Sequence, residues 1–477
     1  MSNLSELLPA GAGAKSADFV ASGTLGSGVT VALKTDGTVE AVSGSVTSGS
    51  LGSLTQFNSS NSVYVASAYH AAQNKIVVAY GNGGNSDYGT ACVGTISGTS
   101  ITFGTPVVFL SAEARYIAAV YDPDNEKIVI AYADSSDVDR GKARVGTVSG
   151  SSISFGTQAT YASSTAGTSY TAMAYDEAEN KVIIAGRYTS NYGYVWVSTV
   201  SGTSISFGSP VQFNLGTTDM SVVYDSSNQK IVISYNDDSN ASYGTAIVGT
   251  VSGTSISFGT EVVFESANSQ YIATTFDSTS GKILIAYRDV GNASYGTAIV
   301  GTVSGTAITF GTAVVFAAAT TINITASYSP LANVTNFAYT DNGNTSRATY
   351  ITGTVSGTTI SFDTEASLEP SNGDYFSSAS IGSGKVFFGY RSGTTGEGIV
   401  LQNGYTVTNN ADFIGITDEA ISSAASGSVI VQGGVSDKVT GLTANTDYYV
   451  QANGTISTTV STVPAGRALS TSSILLE

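Results

Sequence analysis

Four tyrosines stand at one phase of a repeating sequence, Tyr88, Tyr192, Tyr243 and Tyr295, and beside them lie short polar residues such as Asp87, Asn240 and Asn292. Aromatic faces next to carboxylate and amide groups are the chemistry of sugar recognition, by stacking and hydrogen bonding. Tyrosines that only cap the packing of neighbouring strands would give the same pattern. Arg288, Arg347 and Arg391 fall in the same segments. A sialidase would need clustered arginines for its substrate carboxylate, and any glycosidase two carboxyl groups facing across one pocket. The acids nearby are Asp289, Asp341 and Glu397. They suggest no such pair, so the expectation is a solvated polar rim with no catalytic residue.

The remaining reactive side chains read as structural. His70 ends an apolar strand with no Ser, Cys or second His to complete a catalytic set. Trp196 and the lone Cys92 sit in apolar strands and are expected in the core. Asp122, Asp176, Asp225 and Asp277 each follow an aromatic residue at a tight turn. They lack the spaced ligands of a calcium loop and read as turn residues accepting backbone N–H groups. No metal and no cofactor is expected.

The elements that hold these residues recur about every fifty-two positions. An aromatic or apolar residue closes each copy, at Phe57, Phe109, Tyr161, Phe213, Phe264, Phe316 and Leu368, in steps of 52, 52, 52, 51, 52 and 52. Within a copy, short runs of Val, Ile, Thr, Tyr and Phe alternate with Gly, Ser, Asn and Asp, which predicts four antiparallel strands, here termed a, b, c and d. Strand b is expected to start at Lys75, Lys127, Lys181, Lys230, Lys282, Val334 and Lys385. Repeated four-stranded meanders of this length predict a β-propeller. A β-solenoid would need parallel strands, and the hairpin turns argue against them.

The phase of the array predicts how it closes. It opens with an unaccompanied strand d, residues 44–57, and ends with strands a to c, residues 375–407. Joined, they complete a seventh blade, so the expectation is a seven-bladed propeller closed by both chain ends over residues 44–407. Residues 1–43 and 408–477 keep β character and are predicted to form one small β domain into which the propeller is inserted. In such a blade the b–c connections share one face, opposite the near-constant Ser-Gly-Thr turns between c and d. The variable b–c segments are therefore expected to point away from the flanking domain.

Bulk properties exclude several roles. The net charge is −17 with 18 Lys and Arg in 477 residues, which argues against nucleic acid as a partner. No stretch approaches the roughly twenty apolar residues of a membrane span. The first residues lack the basic start and apolar core of a secretory signal, so synthesis in a cytoplasm without export is expected.

Residues 4–11, 29–39, 413–422, 441–454 and 465–470, all turn-rich and with short alternating strands, resemble the terminal modules of tailed-phage virion proteins, tail-fibre and capsid-decoration proteins of marine phages in particular. The resemblance implies a non-enzymatic structural protein on the virion surface, made in the host cytoplasm, with other virion proteins as partners. Host or environmental glycans are its expected ligands. Fibres of this kind imply a homotrimer by analogy. A decoration protein that stabilises the capsid is the second reading, and a propeller-type glycan-degrading enzyme the third.

Overall fold

The computed structural model describes residues 16–42, 44–47, 49–165, 167–408, 410–451, 454–458 and 463–476, and they fold as an all-β chain. Residues 4–11, and part of 441–454, lie outside the described residues. Two compact units emerge, one of residues 48–403 and one drawn from both flanks, up to Thr47 and from Gly404 onward. The division falls at 47 and 403, against the expected 43 and 407, because Gly44–Thr47 pairs with Tyr405–Thr408 and not with the repeat array.

Seven four-stranded antiparallel sheets make up the larger unit, and strand b starts at the seven expected positions. In the fifth sheet, b is Lys282–Asp289 and c is Tyr295–Ser304, while d opens with Ala307–Phe310. Strand a is the second half of Val262–Asp277, with Thr275 opposite Leu284. Strand d continues beyond Gly311 into Val314–Ser329, which first pairs with c (Val314 opposite Ala298) and then becomes strand a of the next sheet (Thr325 opposite Ala338). The separate d and a strands expected there are thus one unbroken strand. The same holds for Val107–Asp122 and Ala366–Ser380. The strand is interrupted only where Gly167, Gly216 or the polar run 58–61 intervenes, residues that weaken a ladder.

Alternation along strand b divides its side chains between two neighbouring sheets. Val77 and Ala79 pack with Ile128, Ile130 and Tyr132 of the second sheet. Ile76, Val78 and Tyr80 face the other way, onto Phe387 and Val400 of the seventh. Both faces are therefore dry, which is why b reads as a continuous apolar run. Trp196 and Cys92 are buried in these layers, as expected.

Two glycine positions let the sheets approach. Gly104, Gly156, Gly208, Gly259 and Gly311, in strand d, each meet a backbone carbonyl in the c–d turn of the following sheet, at Ser151, Thr203, Thr254, Thr306 and Thr358, so closely that a Cβ would overlap it. Gly52 meets Thr99 in the same way, which links the seventh sheet to the first. The second position opens strand c. A Cβ on Gly89, Gly141, Gly193, Gly244, Gly296 or Gly396 would collide with the closing aromatic residue of its own sheet. The sixth sheet has Ala348 there, and its closing residue is the smaller Leu368.

The seventh sheet combines both ends of the array. Ser50–Leu51 and Thr55–Asn58 pair antiparallel with Thr395–Gln402, with Ser50 opposite Gln402 and Gln56 opposite Glu397. Phe103 of the first sheet meets Phe387 of the seventh edge-on, 6.5 Å between ring centroids.

In the flanking unit, one sheet takes strands from both flanks, in the order Ser16–Val20, Ser426–Val431, Phe413–Thr417, Thr30–Leu33 and Val39–Ala41, with the two C-terminal strands between the N-terminal ones. Val31, Val39, Ile421 and Val429 form part of its core. A second sheet comes from residues 435–476, with Tyr448, Val450 and Ile474 buried.

Candidate functional site

Five of the b–c connections vary in sequence but share a capped turn, while those of the third sheet, from Tyr188 to Tyr192, and the seventh, from Ser392 to Thr395, are shorter and lack the cap. Strand b ends on Asn82, Asp134, Asp237 or Asp341, and that side chain accepts from the N–H two residues on, at Gly84 (3.1 Å), Ser136 (3.0 Å), Ser239 (3.0 Å) and Gly343 (2.9 Å). Asp289 caps the N–H of Asn292 similarly, at 3.1 Å. A single 3₁₀ turn follows in the four sheets with the shorter cap. Two left-handed residues then lead into strand c, Ser86 and Asp87 in the first sheet, Ala241 and Ser242 in the fourth. The N–H of Asp87 and of Ser242 returns to the carbonyl of the capping residue at 2.9 Å. These bonds fix the loop, so its side chains vary on a rigid rail.

The residues expected to bind are spread along that rail. Tyr88, Tyr192, Tyr243 and Tyr295 each open a strand c and are half-buried, and Arg347 takes their place in the sixth sheet. Asn240 and Asn292 are exposed in their turns, and Asp87 is half-buried. Each belongs to its own sheet, so they are repeated positions and not one pocket. Arg288 and Arg391 lie apart from them. They stack over the rings of Tyr271 and Tyr375, 5.2 and 4.9 Å from the centroids, and bond to Gln270 and to Asp374.

The acids weighed for catalysis are otherwise engaged. Asp289 and Asp341 cap their turns, and Glu397 is held by Thr395 at 3.0 Å. Asp122, Asp176, Asp225 and Asp277 accept backbone N–H groups in their hairpins, as expected. Among the described residues no three His, Cys, Asp or Glu side chains gather as a metal site.

His70 is buried, its ring centroid 4.6 Å from that of Tyr121. Burial lowers its pKa below the ordinary 6.5. The unfolded chain then takes up the proton first, so this contribution to stability is complete above pH 6.5 and is lost as the pH falls from there toward the folded value. The expected result is a drop in stability between pH 7 and 5, of at most ~1.4 kcal/mol per pH unit, that is absent from a His70→Gln variant. Urea midpoints of both proteins across that range measure it, and parallel curves would refute it.

Sequence reasoning missed a second set of residues. Tyr64, Tyr116, Tyr170, Asp219, Tyr271, Asn323 and Tyr375 occupy the same place in the seven a strands, and all have left-handed backbone, with φ between 43° and 53°. Each stands where the register of a against b slips, as between Val63 and Ala66 or Gln270 and Ala273. Such a bulge turns successive side chains to one side. Six of the seven line one cavity of about 230 Å³, together with apolar residues such as Val65, Met220 and Ile324. Tyr116 completes a chain of rings from Tyr375 through Tyr64 to Tyr170, with centroids 5.5, 5.2 and 5.4 Å apart. Burial and the adjacent Tyr116 and Tyr375 phenols push the Tyr64 phenol up to about 12. Burial also raises Asp219, against the pull of the Tyr271 N–H and Arg288. A signal was present: in five repeats this residue lies seven positions after the closing one, as with Phe57 and Tyr64.

No protein-family model matches the chain, and a search of curated proteins returns no match. Solved structures do resemble it. BP39L, a lectin from Burkholderia pseudomallei, superposes with a TM-score of 0.55 at 11% identity, covering 73% of this chain and 99% of its own. The lectin SapL1, solved in complex with alpha methyl fucoside, gives 0.42 at 16% identity over 66% and 98%. Sqt1 of Saccharomyces cerevisiae gives 0.44 at 11% identity over 70% and 82%. At such identities the first likeness bears on the fold, an all-β architecture shared over nearly the whole length of that lectin.

Proposed function

We propose that this is a non-enzymatic carbohydrate-binding protein: a closed seven-bladed propeller that recognises glycans along its b–c face, fastened through the flanking unit to a tailed-phage particle. The observation that carries the binding reading is the b–c rail, whose capped turn recurs before Tyr88, Tyr243, Tyr295 and Arg347, with Tyr192 at the same place after a shorter turn. Loop side chains that vary on a constant scaffold suit recognition, not folding. The juncture of Gly52 with Thr99 supports closure, and the BP39L likeness supports the architecture. Engagement of Asp289, Asp341 and Glu397 within their own turns favours binding over hydrolysis. The resemblance of the flanks to terminal modules of virion proteins supports the particle, with other virion proteins as neighbours.

Retention on immobilised bacterial polysaccharides tests the reading. A single Tyr→Ala change at 88, 192, 243 or 295 is expected to weaken retention only a few-fold, whereas all four together should reduce it by roughly 10² or more, since linked weak sites multiply. Retention of the quadruple variant at full strength, or release of reducing ends by the native protein, would sink the proposal. Immunogold labelling of particles tests the location.

A further inference from the structure

Among the described residues, the hydroxyls of the five axial tyrosines, Tyr64, Tyr116, Tyr170, Tyr271 and Tyr375, have no hydrogen-bond partner. The tyrosines of strand b fall into two groups, since Tyr80, Tyr132 and Tyr390 bury a hydroxyl without a partner among the described residues. Tyr235, Tyr287 and Tyr339 donate to Glu261 (2.7 Å), Glu265 (3.1 Å) and Glu365 (2.8 Å). What sets the axial hydroxyls apart is their place: Tyr64, Tyr170, Tyr271 and Tyr375 border a cavity, whereas Tyr80, Tyr132 and Tyr390 are closed inside the layers. The axial positions are also strained. Left-handed backbone at a bulky residue costs of order 1 kcal/mol or more, and persists only where the surroundings impose it.

Around the cavity the chemistry is uneven. One arc is aromatic, from Tyr375 through Tyr64 and Tyr116 to Tyr170. The rest holds Asp219, Tyr271 and Asn323. The Asn323 amide donates to Asp374 at 3.1 Å, which leaves its carbonyl oxygen to accept. Val65, Met220 and Ile324 add apolar surface. A ligand matched to this lining has one apolar face, several hydroxyl groups and no charge, because the charged groups nearby are already engaged: Arg187 with Ser169, Arg288 with Gln270, Arg391 with Asp374, and Asp219 with the Tyr271 N–H. The space is below the roughly 300–1,000 Å³ of drug-sized pockets. One sugar ring fits that description and a longer segment does not.

We propose that the axial cavity binds a single neutral monosaccharide unit, separately from the b–c rail, so that the protein recognises a glycan chain at its end. This rests on the carbohydrate reading above for the class of ligand only. The test is titration of the whole protein with free hexoses and N-acetylhexosamines, followed by near-ultraviolet circular dichroism of the tyrosines and by calorimetry. One site per chain is expected. Tyr64→Phe combined with Tyr375→Phe removes two hydroxyls and leaves the rings, and it should weaken binding about 10-fold or more, as should Asp219→Asn. The quadruple variant of the c-opening tyrosines should bind the monosaccharide as the native protein does. Equal affinity in the axial variants, or several sites per chain, overturns the axial site. If polysaccharide is retained and no monosaccharide binds, the axial proposal falls and the carbohydrate reading stands. If neither binds, both fall.

Discussion

Replacing Gly52 by alanine is expected to destabilise the protein as much as replacing Gly156, by roughly 1–3 kcal/mol, the range for overpacking a filled site. Each glycine faces a carbonyl of the next sheet, Thr99 for the first and Thr203 for the second, where backbone cannot step aside as a flexible side chain can. Gly156 lies within the array. Gly52 bears on it only because the seventh sheet adjoins the first. A control is built into the sequence: Asp363 fills the equivalent place in the sixth sheet, making the same backbone bond to strand c, Asp363 N–H to the Thr352 carbonyl at 3.0 Å. The sheet after it has no c–d turn, since its fourth strand comes from the other end of the chain. Asp363→Ala should therefore fall within about 0.5 kcal/mol of the native protein. Urea midpoints from tyrosine fluorescence would rank the three. A neutral Gly52→Ala beside a costly Gly156→Ala would mean that the ring does not close.

The second large effect is a compensated pair. Gly244→Ala should cost about 1–3 kcal/mol, because the new methyl group enters the space of the Phe264 ring. Adding Phe264→Leu should restore part of that loss, although the leucine alone leaves a void and is destabilising too. The coupling between the two is expected at roughly 0.5–3 kcal/mol in favour of the double variant. The sixth sheet already has this combination, Ala348 with Leu368, in one buried cluster. Additive losses in the two single variants would falsify the idea that these positions share one volume.

Those residues also show why much of the fold could be read from sequence. Strand b is apolar at successive positions and flanked by turn residues, so its seven starts were plain. The closing residues kept phase because each must cover a small residue in strand c. Leu368, the non-aromatic member of the closing set, answers Ala348. The domain edge was less legible. Residues 44–57 are Gly, Ser, Thr and Leu almost throughout, a composition that pairs equally well with strand c of the seventh sheet or with Tyr405–Thr408. The axial residues escaped for a different reason. Periodicity assigns side chains to faces by alternation, and a bulge breaks alternation at that very point, so Tyr64 and Tyr271 looked like ordinary strand residues. The candidates on the b–c rail were found because a turn with changing side chains recurs at one phase of the repeat, whereas the turning of Arg288 and Arg391 onto the axial rings depends on contacts between elements that no local pattern encodes.

The mixed origin of the seventh sheet sets a schedule for biosynthesis. Thr55–Asn58 is among the first strands of the larger unit to leave the ribosome, and its partner Thr395–Gln402 is the last. At the usual 5–20 residues per second, the early strand waits roughly 20–70 s for its neighbour. Throughout that interval the nascent chain carries an unpaired edge at each end of a growing array. Both edges can disappear together only once Thr395–Gln402 has emerged, and crowding of half-made chains on one messenger before that point is the step most exposed to strand exchange between copies.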